Sequence, residues 1–398
     1  MKRKLIEVAL PLEAINKESS REKSIRHGHP STLHLWWSRK PLATSRAVLF
    51  ASLIDDPSSH LDKFPDEASQ SQERERLFGL IERLVKWENI TDEKLFKAIR
   101  DEILASTDGN PPPVLDPFAG GGSIPLEAQR LGLEAHASDL NPVAVLINKA
   151  LIEIPPKFAG RAPVNPEYQA RKLKSSTWQG AKGLAEDVRY YGAWMRTEAE
   201  KRIGHIYPQA KLADGREATV IAWLWARTVT CSNPACGCQM PLVRSFVLSS
   251  KKGKETYLQP IIDRSQKPAK ITFEVREGNE APEGTVNRRG ARCIVCESPV
   301  SLEHIRSEGR AGRMGAQLMG IVAEGVKGRV YLQANSEHVS ASLQAQPSYK
   351  PLYELPYNPR DFKTPNYGMK TFADLFTDRQ LVALTTFSDL VGRLEPKP

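Results

Sequence analysis

Two groups of residues in this 398-residue chain have side chains and spacings that can do chemistry. The first is a run of three glycines that closely follows Asp116, and the second is a set of five cysteines that all lie within residues 231–296. Glycines let a ligand approach the backbone where a Cβ would clash, and clustered thiolates are typical ligands of Zn²⁺. The sequence therefore predicts one site for a nucleotide-like ligand and one for a metal ion.

The segment from residue 113 to residue 149 has the element order of a βαβ nucleotide-binding unit: strand, glycine turn, helix, strand and acid. The apolar pair Val114-Leu115 predicts a buried strand, and Ser123 is placed to cap the helix after the turn. A second strand is predicted over 134–138, directly before Asp139. The residues predicted to contact a cofactor lie in the turn and in the loop after the second strand: Asp116, Phe118, Ala119, Gly120, Gly121, Gly122, Asp139 and Asn141.

These residues favour a ligand with an adenosine and an amino-acid end but no phosphate. Asp139 follows Asp116 at close to the roughly 20-residue offset of a carboxylate that binds ribose hydroxyls. A dinucleotide fits less well, because Pro125 stands at the third glycine position of its fingerprint and Asp116 would repel a pyrophosphate. Asp116 can instead bind an ammonium group. The pattern favours S-adenosylmethionine (SAM), and the alternatives are a dinucleotide, another ligand or a structural turn. Asn141 is also expected to cap the helix that starts at Pro142.

Three segments resemble the adenine-specific DNA methylases that contain a Zn-ribbon. DPFAGGGS, residues 116–123, resembles the cofactor motif of amino-group DNA methyltransferases. HPSTLHLWWSRKPLATSRAVLF, residues 29–50, looks like the opening of that family, and NYGMKTFADLFTDRQLVALTTFSDLV, residues 366–391, is similar to a later segment of it. The resemblance implies SAM as cofactor and the exocyclic amine of adenine in double-stranded DNA as acceptor. It also implies that residues 38–43 help to close the pocket around the methionine end of SAM.

The cysteines form two pairs, Cys231-x₄-Cys236 and Cys293-x₂-Cys296, with Cys238 left over. Four thiolates in this arrangement fit tetrahedral Zn²⁺ with no open position for water, so the predicted role of the metal is structural. Cys238 competes with Cys236 as the second ligand. We favour Cys236, because the glycine after it is free to adopt a positive φ that turns backbone N–H groups toward the sulfur. The predicted zinc ligands are Cys231, Cys236, Cys293 and Cys296.

Charge and hydropathy narrow the class of partner. The net charge of +9 and the pI near 9.2 favour a polyanion such as double-stranded DNA, although charge alone also suits a basic protein without such a partner. The longest apolar runs fall well short of the ~20 residues that a membrane span needs. Glu7, Pro11 and Glu13 interrupt any signal-peptide core at the start. We expect a cytoplasmic protein that does not contact a membrane.

Aromatic and histidine residues are concentrated in the N-terminal loop. No acid or cysteine accompanies His27, His29 and His34, so we expect hydrogen-bonded or stacked rings rather than metal ligands. Trp36 and Trp37 could form a stacking surface for a base or for adenine, but core positions are the favoured interpretation.

The predicted fold class is α/β. We expect a Rossmann-like SAM-dependent methyltransferase sheet, central and mostly parallel, with a helical N-terminal region and an inserted zinc ribbon. Ribbon strands are predicted at 241–248 and 271–275, and a helix at 317–326 with a strand at 328–334 should return to the main sheet. The predicted domains are an N-terminal segment closing the cofactor pocket (1–55), a helical insertion (56–110), the methyltransferase core with the SAM motif (111–225), the zinc-ribbon insertion (226–305) and a shortened return to the core (306–398).

A target-base loop is missing from the sequence. Methylation of an exocyclic amine needs a loop of the type (Asp/Asn/Ser)-Pro-Pro-aromatic, which accepts hydrogen bonds from the amine and stacks on a flipped base. The prolines at 111–113 lack the aromatic residue, and those at 155–156 lack both flanking types. In the family this loop is expected after the segment that ends near residue 391. No catalytic residue is therefore assigned.

Three hypotheses follow from the missing loop. The favoured one is a shortened or split adenine DNA methylase that a second polypeptide completes. The second is a SAM-dependent enzyme with a different acceptor. The third is a zinc-containing nucleic-acid-binding or regulatory protein that retains a methylase scaffold.

Overall fold

The computed structural model describes residues 2–394 apart from 26, 172–176, 359 and 361. The chain divides into two compact units, Met1–Tyr190 and Tyr191–Pro398. Both helices and strands are present, and the strands form several small sheets, so the fold class is mixed α/β. Within the described ranges, every helix is too short or too polar to traverse a bilayer.

The first unit is largely helical. Its helices are α1 Leu12–Glu22, α2 Leu42–Leu53, α3 Glu67–Leu84, α4 Glu93–Ser106, α5 Ser123–Arg130, α6 Pro142–Asn148, α7 Ile154–Lys157 and α8 Pro166–Ala170, and the boundary between the units falls within α9 Lys182–Ile203. A π-helical turn, Lys149–Glu153, joins α6 to α7, and 3₁₀ turns lie at Leu5–Glu7, Pro30–Thr32, Pro57–Ser59 and Trp87–Thr91. Its two strands are β1 Val114–Asp116 and β2 Ala135–Ala137.

A helical core supports the small sheet of this unit. The core is built from apolar side chains of α2, α3 and α4, including fully buried Phe50, Ile81 and Ile99. Asp66 and Asp92 cap α3 and α4 by accepting hydrogen bonds from backbone N–H groups. Both helices lie within the segment 56–110, for which the sequence predicts helical structure. Helix α5 packs against α2, which places the turn before α5 next to the N-terminal segment.

Strands β1 and β2 pair in parallel, with Val114 opposite Ala135 and Asp116 opposite Ala137. Asp116 is the last residue of β1, and Asp139 follows β2 by two positions. The carboxyl ends of parallel strands meet at the same edge of a sheet, so both acids lie at one edge. The predicted burial of β1 holds only in part, because Val114 packs on the core whereas the Leu115 side chain is 66% exposed.

The second unit contains antiparallel sheets. Its strands are β3 Ala210–Lys211, β4 Glu217–Ala218, β5 Val220–Thr230, β6 Gln239–Leu242, β7 Val247–Ser249, β8 Thr256–Asp263, β9 Lys270–Glu277, β10 Ala291–Arg292, β11 Pro299–Val300, β12 Gly315–Gly325 and β13 Gly328–Gln333. Its helices are α10 Leu302–Arg310, α11 Ser336–Leu343 and α12 Asp378–Gly392, with 3₁₀ turns at Gly204–Ile206, Thr364–Tyr367 and Phe372–Leu375. The larger sheets have the strand orders β13-β12-β5-β6 and β7-β8-β9.

The helix predicted at 317–326 is wrong, because this segment lies in strand β12. Leu318 to Ala323 are all buried. Leu318, Ile321 and Ala323 pack in one apolar cluster and Met319 in another, while the two edges of β12 pair with β5 and β13. A continuous apolar run without alternation does not distinguish a buried strand from a buried helix. The strand predicted at 328–334 corresponds to β13, but its sheet is antiparallel. Among the described residues, parallel pairing is limited to β1 and β2.

The two strands predicted for the ribbon correspond to shorter or shifted elements. The predicted strand at 241–248 is interrupted, because β6 ends at Leu242 and β7 starts at Val247. The predicted strand at 271–275 lies inside β9, which pairs along its length with β8. The sheet β7-β8-β9 therefore fills the interval between the two cysteine pairs.

Candidate cofactor pocket and metal centre

The glycine turn has a backbone that only glycine adopts without strain. Gly120 has a φ of 49° and Gly122 a φ of 74°, both in the left-handed region. The backbone N–H of Ala119 donates to the carbonyl of Ser138 at 3.0 Å, which fastens the turn to the end of β2. The turn is thus a fixed loop between β1 and α5.

The glycines also make room for side chains from the N-terminal loop. A Cβ at Gly120 would lie 2.7 Å from Nε1 of Trp36, and a Cβ at Gly121 would lie 3.1 Å from Cζ and Nε of Arg39. We call residues 36–41, which contain both side chains, the strap. The sequence pattern assigned the glycines to a ligand, and it gave no sign that the strap packs on them.

Ser123 joins the turn to the strap instead of capping a helix. Its hydroxyl donates to the backbone carbonyl of Lys40 at 2.7 Å. Helix α5 begins at Ser123 itself, and its N-cap is Gly122, which has no side chain. The predicted cap is therefore wrong. The serine hydroxyl is used to hold the strap, which lies 83 positions earlier in the chain.

Buried charges hold the end of the strap against α5. Helix α2 has no side-chain cap of its own, so the Glu22 carboxylate of α1 accepts hydrogen bonds from the N–H groups of Leu42 (2.8 Å) and Ala43 (2.9 Å). Arg46 is fully buried. Its Nη2 lies 3.5 Å from Oε1 of Glu22, and its Nε lies 3.0 Å from Oε2 of Glu127 in α5. Burial raises the pKa of Glu127, and the charge of Arg46 opposes this. The network connects α1, α2 and α5 behind the pocket.

Asp139 is held by backbone donors on both of its oxygens. It accepts hydrogen bonds from the N–H groups of Asn141 and Gly120, each at 2.8 Å. These bonds hold the pKa of Asp139 below its usual value, so the carboxylate stays ionised in mildly acidic solution. Each oxygen keeps a free lone pair that can accept a hydrogen bond from a ribose hydroxyl. Asp116 accepts a hydrogen bond from the N–H of Phe118 at 3.1 Å.

The strap and the glycine turn together enclose a cavity of about 340 Å³. Its lining comes from both segments and from the loop after β2: Trp36, Ser38, Arg39, Lys40, Asp116, Phe118, Ala119, Gly120, Gly121, Ser123, Ile124 and Asp139. Six of the eight predicted cofactor residues thus meet at one cavity. The other two face elsewhere: Gly122 packs against Asn148, and Asn141 caps α6 by accepting a hydrogen bond from the N–H of Val143.

The aromatic residues of the N-terminal loop have different surroundings. The core interpretation is wrong for Trp37, which is 92% exposed, whereas half-buried Trp36 packs on the turn and lines the cavity. His29 is buried, lies 4.6 Å from the ring of Trp87 and is hydrogen-bonded to Ser31. The hydrogen bond confirms for His29 the prediction of a hydrogen-bonded or stacked ring, and the contact with Trp87 is tilted, with an angle of 49° between the rings.

The cysteines lie in two hairpins with matching geometry. The first joins β5 to β6, and the second joins β10 to β11. The sulfur atoms of Cys231, Cys236, Cys293 and Cys296 all lie within 4.8 Å of one another. Two separations, 3.7 Å for Cys231–Cys296 and 3.9 Å for Cys236–Cys293, are near the ~3.8 Å edge of a tetrahedron with Zn–S bonds of about 2.3 Å. These four residues could hold a metal ion.

The matching backbone of the two hairpins shows which residue of the second hairpin corresponds to Cys238. Gly237 and Glu297 each follow the second cysteine of a pair, and both have positive φ, 54° and 62°. In each hairpin the N–H of the first cysteine donates to the carbonyl of the residue after this turn, which is Cys238 in one and Ser298 in the other. Cys238 is therefore the counterpart of a serine. Its sulfur still lies 3.5 Å from those of Cys236 and Cys293.

The thiols of the cluster differ in acidity. Hydrogen bonds from Ser298 lower the pKa of Cys296 to about 6, whereas burial raises the pKa of Cys231 to about 12. Burial also raises the pKa of Cys238 far above its usual value. Burial does not separate Cys238 from the ligand set, because Cys293 is buried to the same extent. A bound cation would favour the thiolate form of each ligand.

Comparison with known proteins bears on the N-terminal part of the chain. Residues 9–80 match a family described as "Protein of unknown function (DUF1156)". This segment contains the strap, α1, α2 and most of α3, whereas the glycine turn and the cysteines lie outside it. Neither curated proteins nor solved structures give a match to the chain.

Proposed function

We propose that this chain binds SAM between the strap and the glycine turn and is part of an amino-group DNA methyltransferase that acts on adenine. The observation that supports this best is the convergence of the strap, the left-handed glycine turn and two acids, Asp116 and Asp139, on one cavity. In the proposed complex Asp139 accepts hydrogen bonds from the ribose hydroxyls, and Asp116 binds the ammonium group. SAM itself supplies an activated methyl group on a sulfonium.

The chemistry of the lining fits SAM better than a phosphate-containing cofactor. Two carboxylates line the cavity, and one of them, Asp139, is held in its ionised form by backbone N–H donors. Those donors would otherwise be available to a pyrophosphate, and Asp139 beside them would repel it, although the lining also contains the cations Arg39 and Lys40. The N–H of Gly120 is already used by Asp139. A ligand with hydroxyls and an ammonium group meets acceptors instead.

The transfer step requires groups that this sequence does not contain. No (Asp/Asn/Ser)-Pro-Pro-aromatic motif occurs in it, so we propose that a second polypeptide supplies the target-base loop. That polypeptide would also extend the sheet into a Rossmann-like one. The edge of β1 that faces away from β2 has no strand partner in the described part of the chain, and Leu115 on β1 is 66% exposed. Both features suit the addition of a strand.

The second unit is proposed to hold a structural Zn²⁺ and to contribute to DNA binding. Its four cysteines supply a closed donor set, so no position is left for a reacting water. The net charge of +9 favours a polyanionic partner. The same observations support a second candidate, a zinc-containing nucleic-acid-binding or regulatory protein, because the metal ligands are all in this chain whereas the target-base loop is not.

Calorimetric titration of the zinc-loaded chain with SAM distinguishes the two candidates. The methylase proposal predicts saturable binding of SAM. A nucleoside with an unmodified ribose, such as adenosine, should compete with SAM for the site. Binding of DNA without any SAM binding, in a sample whose folding is verified by circular dichroism, would favour the regulatory protein. Where SAM binds, transfer of a labelled methyl group to adenine is expected only after a polypeptide with the missing loop is added.

A further inference from the structure

One cation on the wall of the cofactor cavity lacks an anionic partner. The guanidinium of Arg39 packs against Gly121, and its Nη2 donates to the backbone carbonyl of His34 at 3.1 Å. Its Nε and Nη1 atoms are shielded from solvent and make no hydrogen bond within the residues that the structure describes. No described acid forms an ion pair with Arg39 either, which distinguishes it from buried Arg46.

An unpaired guanidinium in this position is costly. Arginine stays charged in proteins, so it cannot escape the cost of burial by losing its proton. Burial lowers the pKa of Arg39, and no neighbouring charge counteracts it. Removing a charged donor from water without a partner is strongly unfavourable. A ligand that brings a carboxylate to this wall of the cavity would remove that cost.

We propose that Arg39 binds the carboxylate of the methionine end of SAM, opposite the ammonium group that Asp116 receives. This inference rests on the proposed binding of SAM. Arg39 and Asp116 line the same cavity, so the two charges of the amino acid meet opposite charges on its walls. The planar donor set of a guanidinium matches the two oxygens of a carboxylate. The site is thus selective for an intact amino-acid end.

Lys40 is the competing cation, and its surroundings differ. It also lines the cavity, but its side chain is exposed and its contribution to the site is the backbone carbonyl that accepts from Ser123. An exposed ammonium remains hydrated and loses little without a ligand. Replacing the Lys40 side chain keeps the backbone bond to Ser123. Lys40→Gln is therefore a matched control for Arg39→Gln.

The test compares SAM with decarboxylated SAM, which keeps the adenosine, the sulfonium and the amine but lacks the carboxylate. Affinities of both compounds for the full zinc-loaded chain and its variants are measured by calorimetry. The chain should bind SAM roughly 10- to 100-fold more tightly than decarboxylated SAM, the factor expected of hydrogen bonds to a charged group. Arg39→Gln should remove this preference and leave the affinity for decarboxylated SAM within about threefold.

The other outcomes separate the inference from the proposed function. If the chain binds neither compound, SAM binding itself is wrong. If Arg39→Gln weakens both compounds equally, Arg39 only shapes the strap and the carboxylate assignment fails. If Lys40→Gln loses the preference for SAM over decarboxylated SAM and Arg39→Gln keeps it, the carboxylate is bound by Lys40 and the assignment to Arg39 is wrong. Arg39→Lys keeps the positive charge without the bidentate geometry, so it should retain part of the preference for SAM over decarboxylated SAM that Arg39→Gln loses. If Arg39 were only structural, Arg39→Lys would change the affinities for both compounds alike.

Discussion

At the candidate metal centre all four clustered cysteines come from two hairpins, and the members of each pair are at most five positions apart. The candidate cofactor pocket instead joins a glycine turn to a strap 83 positions upstream. The cysteine hairpins repeat one backbone geometry, with a positive φ after the second cysteine of each pair. The pocket has no such repeat. Its walls depend on a buried ion network, a serine hydroxyl and two side chains that fill the space left by glycines.

The difference shows where each site is vulnerable. If the four cysteines hold a metal ion, the loss of any sulfur atom should weaken the site, because the metal would then hold the two hairpins together. A pocket built from distant segments is sensitive to changes that separate those segments, even where the ligand is not touched. Variants of the two regions should therefore differ in what they lose first: the metal in one, and the strap in the other.

The largest effect is expected for Cys293→Ser. A tetrahedral site that loses one thiolate holds Zn²⁺ far more weakly, and the ribbon should lose several kcal/mol of stability with it. Zinc content by atomic emission should fall to a small fraction of that of the unchanged chain, and the ribbon should become sensitive to protease. Full zinc content in a folded variant would contradict the metal centre.

Gly120→Ala should have the next largest effect and should act through the strap. The residue has a positive φ, and its Cβ would lie 2.7 Å from Trp36, so we expect a loss of about 2–4 kcal/mol in the free energy of unfolding. Gly28→Ala is the matched control, since Gly28 has a φ of 71° but no atom within 4 Å of a Cβ. It should cost about 1 kcal/mol. Equal losses in urea unfolding would mean that Trp36 does not pack on the turn.

Asp139→Ala should weaken SAM binding by roughly tenfold or more, as expected for lost hydrogen bonds to a charged acceptor. Asp139→Asn keeps an acceptor oxygen and should fall in between. Because backbone donors lower the pKa of Asp139, the contact needs no deprotonation near neutrality, and affinity should stay level as pH falls from 7 to about 5. Unchanged affinity in Asp139→Ala would remove the ribose role.

Ser123→Ala should loosen the strap by about 1 kcal/mol, the usual contribution of a hydrogen bond from a buried hydroxyl. Ser52→Ala is its control, because the exposed Ser52 hydroxyl donates to a carbonyl one turn earlier in its own helix, α2, at the same 2.7 Å. Thermal unfolding should show a lower midpoint for Ser123→Ala only, and SAM affinity should fall with it. An identical midpoint for both variants would show that the strap is held by other contacts.

Cys238→Ser should change the metal content least. Its backbone position corresponds to that of Ser298, so a serine fits the local geometry. We expect zinc content equal to that of the unchanged chain within the error of atomic emission. A loss comparable to that of Cys293→Ser would instead make Cys238 a ligand and remove Cys236 from the set.

Local patterns in the sequence predicted which residues lie close together better than they predicted the surrounding fold. Cysteine spacing identified the cluster, and glycines followed by an acid identified the turn. The contact of Arg39 with Gly121 could not be predicted, because no periodicity connects residues so far apart. The error at 317–326 has a different cause. A strand buried on both faces has no alternation, and an apolar run of that length suits a helix equally well.

The link between Lys40 and Ser123 also has a consequence for protein synthesis. The strap leaves the ribosome before the residue that holds it, with a separation of 83 positions. At about 5–20 residues per second, this delay is roughly 4 to 17 seconds. During that time Trp36 and Arg39 have no glycine turn to pack on. The nascent chain therefore exposes the strap as a transient apolar and basic segment, which is the kind of segment that chaperones bind.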